Sequence, residues 1–407
     1  MKGAPKGIRL HIGLFGRRNV GKSSLMNVLI GQDVAIVSET PGTTTDVVNK
    51  SMELKPIGPV LFLDTAGLDD VGELGEKRIA KTLKAMERTD IAIVITDGEF
   101  GEFEKEILTE LDDKNIPAIV VFNKSDLRLA DDNAIEEATK IAKKVVITSA
   151  TTKSGIADLR NAIVDYAPEE FINAPSILAD LVGPGDVVVL VVPIDLEAPK
   201  GRLILPQVQV IREVLDCDAR AMVVKERELA DTLDILKVKP SLVVTDSQAI
   251  LKVSADVPPE IPLTGFSVLY ARWKGDLETL LMGTLAIKNL RVGDDVLIAE
   301  ACTHHPIGDD IGRVKIPRWI RQYVGGDLNF TYYQGHDFPD DLSKYKLVIM
   351  CGACMTNRRE VLTRLLKAKE AGVPVANYGL AIAFSLGVLE RMLSPFPGLL
   401  EKYHQLI

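Results

Sequence analysis

The chain lacks most of the features that would place it outside the cytosol or on nucleic acid. It has only four cysteines in 407 residues, and no secretory h-region precedes its first strand-like run, Ile8 to Phe15, so the reducing cytosol is the expected compartment. No stretch approaches the roughly 18 uncharged apolar residues of a bilayer-spanning helix, which excludes a membrane-spanning protein. Lysine and arginine never run beyond a pair such as Arg17-Arg18, Lys143-Lys144 or Arg358-Arg359, and 48 basic residues face 57 acidic ones, for a net charge of −9. An acidic chain without a basic stripe is poorly suited to phosphate backbones, which argues against a mainly nucleic-acid role. Internal sequence repeats and low-complexity tracts are missing as well.

What remains is ordinary globular composition, 46% hydrophobic and 26% charged, enough to build several cores. The length suggests two to four domains, and three are expected. Short apolar runs alternate with amphipathic segments, the pattern of an α/β protein with mainly parallel sheets. Runs at Arg9 to Phe15, Val60 to Asp64, Ile91 to Thr96, Ala118 to Asn123 and Val145 to Thr148 read as the strands of a first domain, residues 1–168. A proline-punctuated linker, Ala167 to Ile177, follows it.

A second α/β block, assigned to residues 169–264, holds strand-like runs at Val187 to Ile194, Ala221 to Val224 and Leu242 to Thr245. Between them lie helical stretches, Val210 to Leu215 and Arg227 to Leu236. It carries no catalytic motif; Asp195, Lys200 and Cys217 read as ordinary surface or core positions. A core without chemistry makes this block a candidate oligomerisation module. The proline-rich segment 257–262 marks the boundary to a third block, 265–407.

The strongest local chemistry is Gly16-Arg17-Arg18-Asn19-Val20-Gly21-Lys22-Ser23, followed by Ser24, between a strand and a helix. This is a P-loop in the right context. Its glycines let backbone N–H groups curl around phosphates, Lys22 reaches the β- and γ-phosphates, and the Ser23 hydroxyl is placed for Mg²⁺. Asp64-Thr65-Ala66-Gly67 ends a strand, so the Asp64 carboxylate can hold Mg²⁺ through water while the Gly67 N–H senses the γ-phosphate. In Asn123-Lys124-Ser125-Asp126 a carboxylate can accept N1–H and N2–H of guanine, a donor pair that adenine does not offer. Ser149-Ala150 would add backbone contacts to guanine O6. Between these elements lies Pro41-Gly42-Thr43-Thr44-Thr45-Asp46, from which Thr44 is assigned to Mg²⁺.

Through these motifs the first 165 or so residues resemble the TrmE/Era-like GTPases. Leu68 follows Gly67, so no Ras-type glutamine stands there to orient water, and slow intrinsic hydrolysis is expected. In potassium-stimulated members of that family an asparagine at the position of Asn19 helps hold a monovalent cation. By resemblance, K⁺ serves here as the positive charge beside the phosphates, against the alternative that Asn19 merely caps the loop.

The third block concentrates soft ligands: Cys302-Thr303-His304-His305 and Cys351-Gly352-Ala353-Cys354. Runs at Asp295 to Ala301, Tyr345 to Met350 and Val373 to Asn377 read as parallel strands whose C-terminal ends share one rim. That rim would bring Cys302, the Cys351/Cys354 pair and Tyr378-Gly379 together. Spacing leaves two chemistries open, a closed Cys₃His zinc site or a 4Fe-4S cluster on three thiolates with an exchangeable fourth position. Arg313, Lys315 and Arg318 could offer charge to an anionic ligand.

Cys-Thr-His-His-Pro, then Asp309-Asp310-Ile311-Gly312-Arg313 and Cys-Gly-Ala-Cys, resembles the FeFe-hydrogenase maturation GTPase family over the whole domain order. The resemblance implies a GTPase domain, a dimerisation domain and a cluster-binding domain in a homodimeric scaffold. Such a scaffold carries a 4Fe-4S cluster and, as transient cargo, the diiron subcluster precursor delivered to apo FeFe-hydrogenase beside the radical-SAM maturation enzymes. It implies Cys302, Cys351 and Cys354 as cluster ligands. Many members carry a histidine just before the C-x-x-C pair, where this chain has Met350; His304 is the first choice for fourth ligand, with Glu300, Asp309 or an exogenous group as rivals. A different class of function, a zinc-stabilised GTPase in ribosome or RNA maturation, is the alternative.

Overall fold

A computed structural model of the chain describes residues 6–31, 48–65, 82–172, 175–193, 203–301 and 310–407. They belong to two compact units, Met1–Ala174 and Pro175–Ile407. The first is built on a six-stranded sheet of β1 (Leu10–Phe15), β2 (Val48–Leu54), β3 (Gly58–Asp64), β4 (Ile91–Thr96), β5 (Ala118–Phe122) and β6 (Lys144–Ile147), in the order β2-β3-β1-β4-β5-β6. All pairs are parallel except β2 with β3. The continuous apolar runs follow from helices on both faces. Ile91, Ile93 and Ile95 pack with Leu25, Leu29 and Leu159 on one side, while Ala92 and Val94 meet Ile107, Leu108 and Leu111 on the other.

The second unit carries two four-stranded, all-parallel sheets. One contains β7 (Val187–Val191), β8 (Arg220–Val224), β9 (Leu242–Thr245) and β10 (Leu263–Gly265), ordered β10-β9-β7-β8. The other contains β11 (Asp295–Glu300), β12 (Asn329–Gln334), β13 (Leu347–Met350) and β14 (Val375–Asn377), ordered β12-β11-β13-β14. In both, the second strand is laid on one side of the first and the third and fourth on the other, so the two sheets share one strand order although the sequence shows no repeat. Each therefore has a topological switch point beside its first strand, between β7 and β9 and between β11 and β13.

The proline-rich segment between the sheets is held rather than free. Arg391 donates to the carbonyls of Pro258 (2.7 Å), Ile261 (3.0 Å), Pro259 (3.0 Å) and Val257 (3.3 Å). Ser394 Oγ accepts from Leu263 N at 2.9 Å, tying the same region to β10. One hydrophobic core accordingly runs from Val189 and Val243 through Leu269 and Leu281 to Ile298 and Val348. Among the described residues no helix is long and apolar enough to cross a membrane.

Close packing is tightest where the helix Leu277–Leu285 meets β14: a Cβ on Gly283 would lie 1.9 Å from the Val375 carbonyl oxygen and 2.6 Å from its nitrogen. Gly283→Ala must displace backbone rather than a flexible side chain. A loss of about 1–3 kcal/mol is expected, read as faster hydrogen exchange in β14 and a lower melting temperature of the second unit, with the first unit's exchange unchanged.

Candidate functional site

The chain leaves β1 directly into the P-loop, where glycine is required by contact as well as conformation. Gly16 has φ +142° and a Cβ there would sit 2.2 Å from the Ile95 carbonyl; Gly21 has φ +95° and its Cβ would meet Asn123 Nδ2 at 2.4 Å. Asn19 adopts φ +64°, a left-handed conformation that asparagine tolerates better than most side-chain-bearing residues, and its side chain is exposed. Lys22 is buried, its Nζ donating to Gly16 O (2.8 Å) and Arg17 O (2.7 Å). Ser23 Oγ donates to Asp64 Oδ2 at 2.7 Å, so two of the groups expected at Mg²⁺ are neighbours. Ser24 is exposed on the same first helical turn.

Asn123 is 2% exposed and ties two loops together. Its Nδ2 donates to Val20 O at 3.0 Å, while Oδ1 accepts from Thr148 Oγ1 (3.2 Å) and Ala150 N (3.3 Å). Asp126 Oδ1 accepts from Ser149 Oγ at 2.5 Å, and Lys124, at φ +60°, sends Nζ to Asp97 Oδ2 at 3.2 Å. The structure thus gathers Val20, Asn123, Lys124, Asp126, Ser149 and Ala150 beside the P-loop. Thr44 and Gly67, with Leu68, lie outside the described residues.

One contact here has no motif to announce it. Glu104, fully buried, takes both Arg17 Nε (2.9 Å) and Nη2 (3.2 Å) and accepts from Gly101 N (2.9 Å) at the start of the helix Glu102–Asp113. The Arg17 guanidinium also lies 5.1 Å from the Phe103 ring centre. A bidentate pair of this kind fixes orientation as well as charge. The only hint in sequence is a glutamate three residues after Gly101, a capping position.

The second site forms at the switch point of the third sheet, where β11 and β13 end side by side. Cys351 and Cys354 follow β13 directly, with Ala353 between them at φ +51°. Cys351 Sγ accepts from Ala301 N (3.0 Å) and Ala353 N (3.4 Å). Burial raises both thiols. The two N–H groups oppose the rise at Cys351, whereas Cys354, with Cys351 adding to the effect and Lys274 opposing it, reaches about 11. Two thiols at this spacing, with N–H groups aimed at one sulfur, match the chemistry of iron-sulfur and zinc ligation. A cavity of about 20 Å³ lies beneath, lined by Tyr270, Lys274, Met350, Cys351 and Asn377 among others.

Glu300, at the end of β11, is 3% exposed. It accepts from Gln334 Nε2 at the end of β12 (3.0 Å) and from the Tyr378 hydroxyl just past β14 (3.3 Å), with Arg313 Nε at 3.8 Å. The rim expected from the strand pattern therefore exists. Gly312 closes over it, since a Cβ there would lie 2.2 Å from Tyr378 Oη and 2.5 Å from Glu300 Oε1. Cys302, His304 and Asp309 lie outside the described residues, among which no three histidine, cysteine, aspartate or glutamate side chains converge on one metal position.

Residues 177–275 match the hydrogen maturase F dimerization domain, residues 278–395 the hydrogen maturase F tetramerization domain, and residues 11–124 a 50S ribosome-binding GTPase. The tRNA modification GTPase MnmE of Prochlorococcus marinus is 44% identical over 161 residues, covering 38% of this chain and 34% of the relative. GTPase Der of Wolinella succinogenes is 39% identical over 142 residues, covering 34% of this chain and 30% of its own. The chain thus spans about a third of the length of these curated relatives. Among solved structures, Era of Aquifex aeolicus is 21% identical with a TM-score of 0.33 and covers 56% of this chain and 98% of its own. The G domain of T. maritima FeoB is 25% identical with a TM-score of 0.31, covering 39% and 98%. The first unit is a P-loop GTPase domain.

Two outcomes follow from the geometry. Asn123→Ala removes the brace between Val20 and Ala150 and orphans buried partners; fluorescent GDP should bind roughly tenfold or more weakly, about 1.4 kcal/mol, as read by titration. In metal-free protein Cys354 should resist alkylation near neutral pH and label progressively faster as pH rises towards 11, followed by peptide mass spectrometry.

Proposed function

Because the chain belongs to the hydrogen maturase F family, its GTPase domain followed by that family's dimerization and tetramerization domains, we propose that it is a GTP-hydrolysing scaffold of FeFe-hydrogenase maturation. In this reading it converts GTP to GDP and phosphate, holds a 4Fe-4S cluster, and assembles or delivers the diiron subcluster precursor to apo FeFe-hydrogenase, working in the cytosol with the radical-SAM maturation enzymes. The observation that carries the reading is the pair of sites: a P-loop on one sheet and a C-x-x-C turn at the switch point of another.

In this reading each residue takes a definite role. Gly16, Val20, Gly21, Lys22 and Ser24 cradle phosphates; Ser23 and Thr44 bind Mg²⁺ with Asp64 behind them; the Gly67 N–H senses the γ-phosphate; Asn123, Lys124, Asp126, Ser149 and Ala150 build the guanine pocket. Asn19 holds K⁺, and turnover is slow without it. Cys302 joins Cys351 and Cys354 as cluster ligands, with His304, Glu300 or Asp309 as the fourth. Of these, Glu300 is already held in place by Gln334 and Tyr378. The domain limits in this reading are 1–168, 169–264 and 265–407, while the dimerization-domain match itself runs on to residue 275. The family's two assembly domains support oligomerization, with a homodimer as the basic unit.

A second reading, a zinc-stabilised GTPase in ribosome or RNA maturation, is favoured by the 11–124 match and by the MnmE relatives. Anaerobically purified protein should contain about four irons and four acid-labile sulfides per chain, lost in Cys351→Ala; stoichiometric zinc without sulfide would move the protein to the second reading. GTP turnover should be roughly tenfold or more faster in potassium than in sodium buffer, and equal rates would remove K⁺ from the mechanism.

A further inference from the structure

Lys274 ends the helix Phe266–Lys274 and is 2% exposed, among the most deeply buried charged groups of the second unit. Its ammonium donates to Ala353 O at 2.8 Å and Thr356 O at 2.6 Å, and lies 5.3 Å and 5.7 Å from the ring centres of Trp273 and Tyr270. Among the described residues no carboxylate forms an ion pair with it. Two carbonyls and two aromatic faces satisfy its donors but leave its charge unbalanced, and an uncompensated buried charge is expensive. A neutral donor would pin the same carbonyls at less cost.

The anion it waits for is close at hand. Burial pulls the Lys274 ammonium down to about 8, and the groups that oppose this are, in order, Cys354, Cys351 and Glu360. Glu360 is already committed to Arg364 (2.7 Å) and His336 (3.0 Å). That leaves the sulfur pair. The carbonyl that Lys274 grips on Ala353 also belongs to the left-handed residue whose N–H points at Cys351 Sγ.

We propose that Lys274 is the positioning and charge-balancing residue of the sulfur site, fixing the Cys351-to-Cys354 turn and offsetting the negative charge that ligated thiolates and cluster bring into it. The inference rests on the reading of Cys351 and Cys354 as cluster ligands. It also crosses the boundary between the two assembly domains. Lys274 lies in the segment matched to the dimerization domain and the cysteines in that matched to the tetramerization domain. The Tyr270 hydroxyl of the same helix bonds Gln209, on the helix Leu205–Asp216. A positive charge beside a cluster favours its reduced, more negative state, so Lys274 raises the reduction potential of whatever cluster the turn holds.

Full-length protein carrying Lys274→Gln, Lys274→Met or Lys274→Arg would be loaded with iron and sulfide anaerobically, then compared with the unaltered chain. Readouts are cluster content, melting temperature and midpoint potential by redox titration followed by electron paramagnetic resonance. Glutamine keeps a donor for the carbonyls but no charge, so it reads the charge even if methionine prevents folding. Lys274→Gln should hold its cluster with the one-electron reduction equilibrium shifted at least tenfold towards the oxidised form, 59 mV lower, and Lys274→Arg should restore most of that shift. A wild-type potential in Lys274→Gln at full cluster content, or equal shifts in the glutamine and arginine variants, would overturn the charge role. Unaltered protein that binds zinc and no iron would overturn the underlying cluster reading, and this inference with it.

Discussion

A parallel sheet delivers every loop that follows a strand to the same edge, and both candidate sites are consequences of that constraint. On the first sheet the P-loop after β1, Asp64 at the end of β3 and Asn123 after β5 are brought together although more than a hundred residues separate the first from the last. On the third sheet the ends of all four strands are joined through side chains. Glu300 at the end of β11 receives Gln334 from the end of β12 and Tyr378 from just past β14, while Cys351 after β13 takes the N–H of Ala301. The gap between β11 and β13 is the topological switch point of that sheet, which is where such sheets bind ligands.

The rims are stiffened by polar groups taken out of water. Glu104, Asn123, Glu300 and Lys274 are all at most 3% exposed, and each is given partners from separate segments of its own unit. Leaving any one of them unpaired would cost more than its hydrogen bonds contribute. Each therefore specifies a loop position more sharply than an apolar residue of the same size. Gly21 and Gly312 serve the same end from the other side, because any larger residue would strike Asn123, or Tyr378 and Glu300.

Much of this is legible in the chain before any coordinates. Buried central strands such as β1, β4, β5, β7 and β11 read directly as apolar runs, and the Gly-rich loop, Asp-Thr-Ala-Gly, Asn-Lys-Ser-Asp and C-x-x-C lie at the strand ends that the pattern implies. The strands that escape the reading are β2, β10 and β12, each at a sheet edge. There half the ladder is unpaired and the sequences, such as Asn329–Gln334, are too polar or too short to stand out. The partners of the sites escape for a different reason. Glu104 lies 87 residues from Arg17 and Lys274 lies 79 from Ala353, and a single glutamate or lysine in an amphipathic helix carries no spacing that marks it as buried.

The way the proline-rich crossover is fastened bears on how the protein is made. Leu263, which opens β10, bonds Ser394, 131 positions later, and Arg391 reaches back over a similar span to the carbonyls that precede it. On the ribosome the second sheet therefore emerges with its last strand paired to β9 alone, and it stays so while the whole of the third sheet is synthesised. At about 5–20 residues per second that interval lasts roughly 7 to 26 seconds, long compared with the folding of a small domain. The GTPase domain is complete well before this point. The second unit, by contrast, can close fully only after Arg391 and Ser394 have emerged, and its nascent form is the state in which a chaperone, or another copy of the chain, would first meet it.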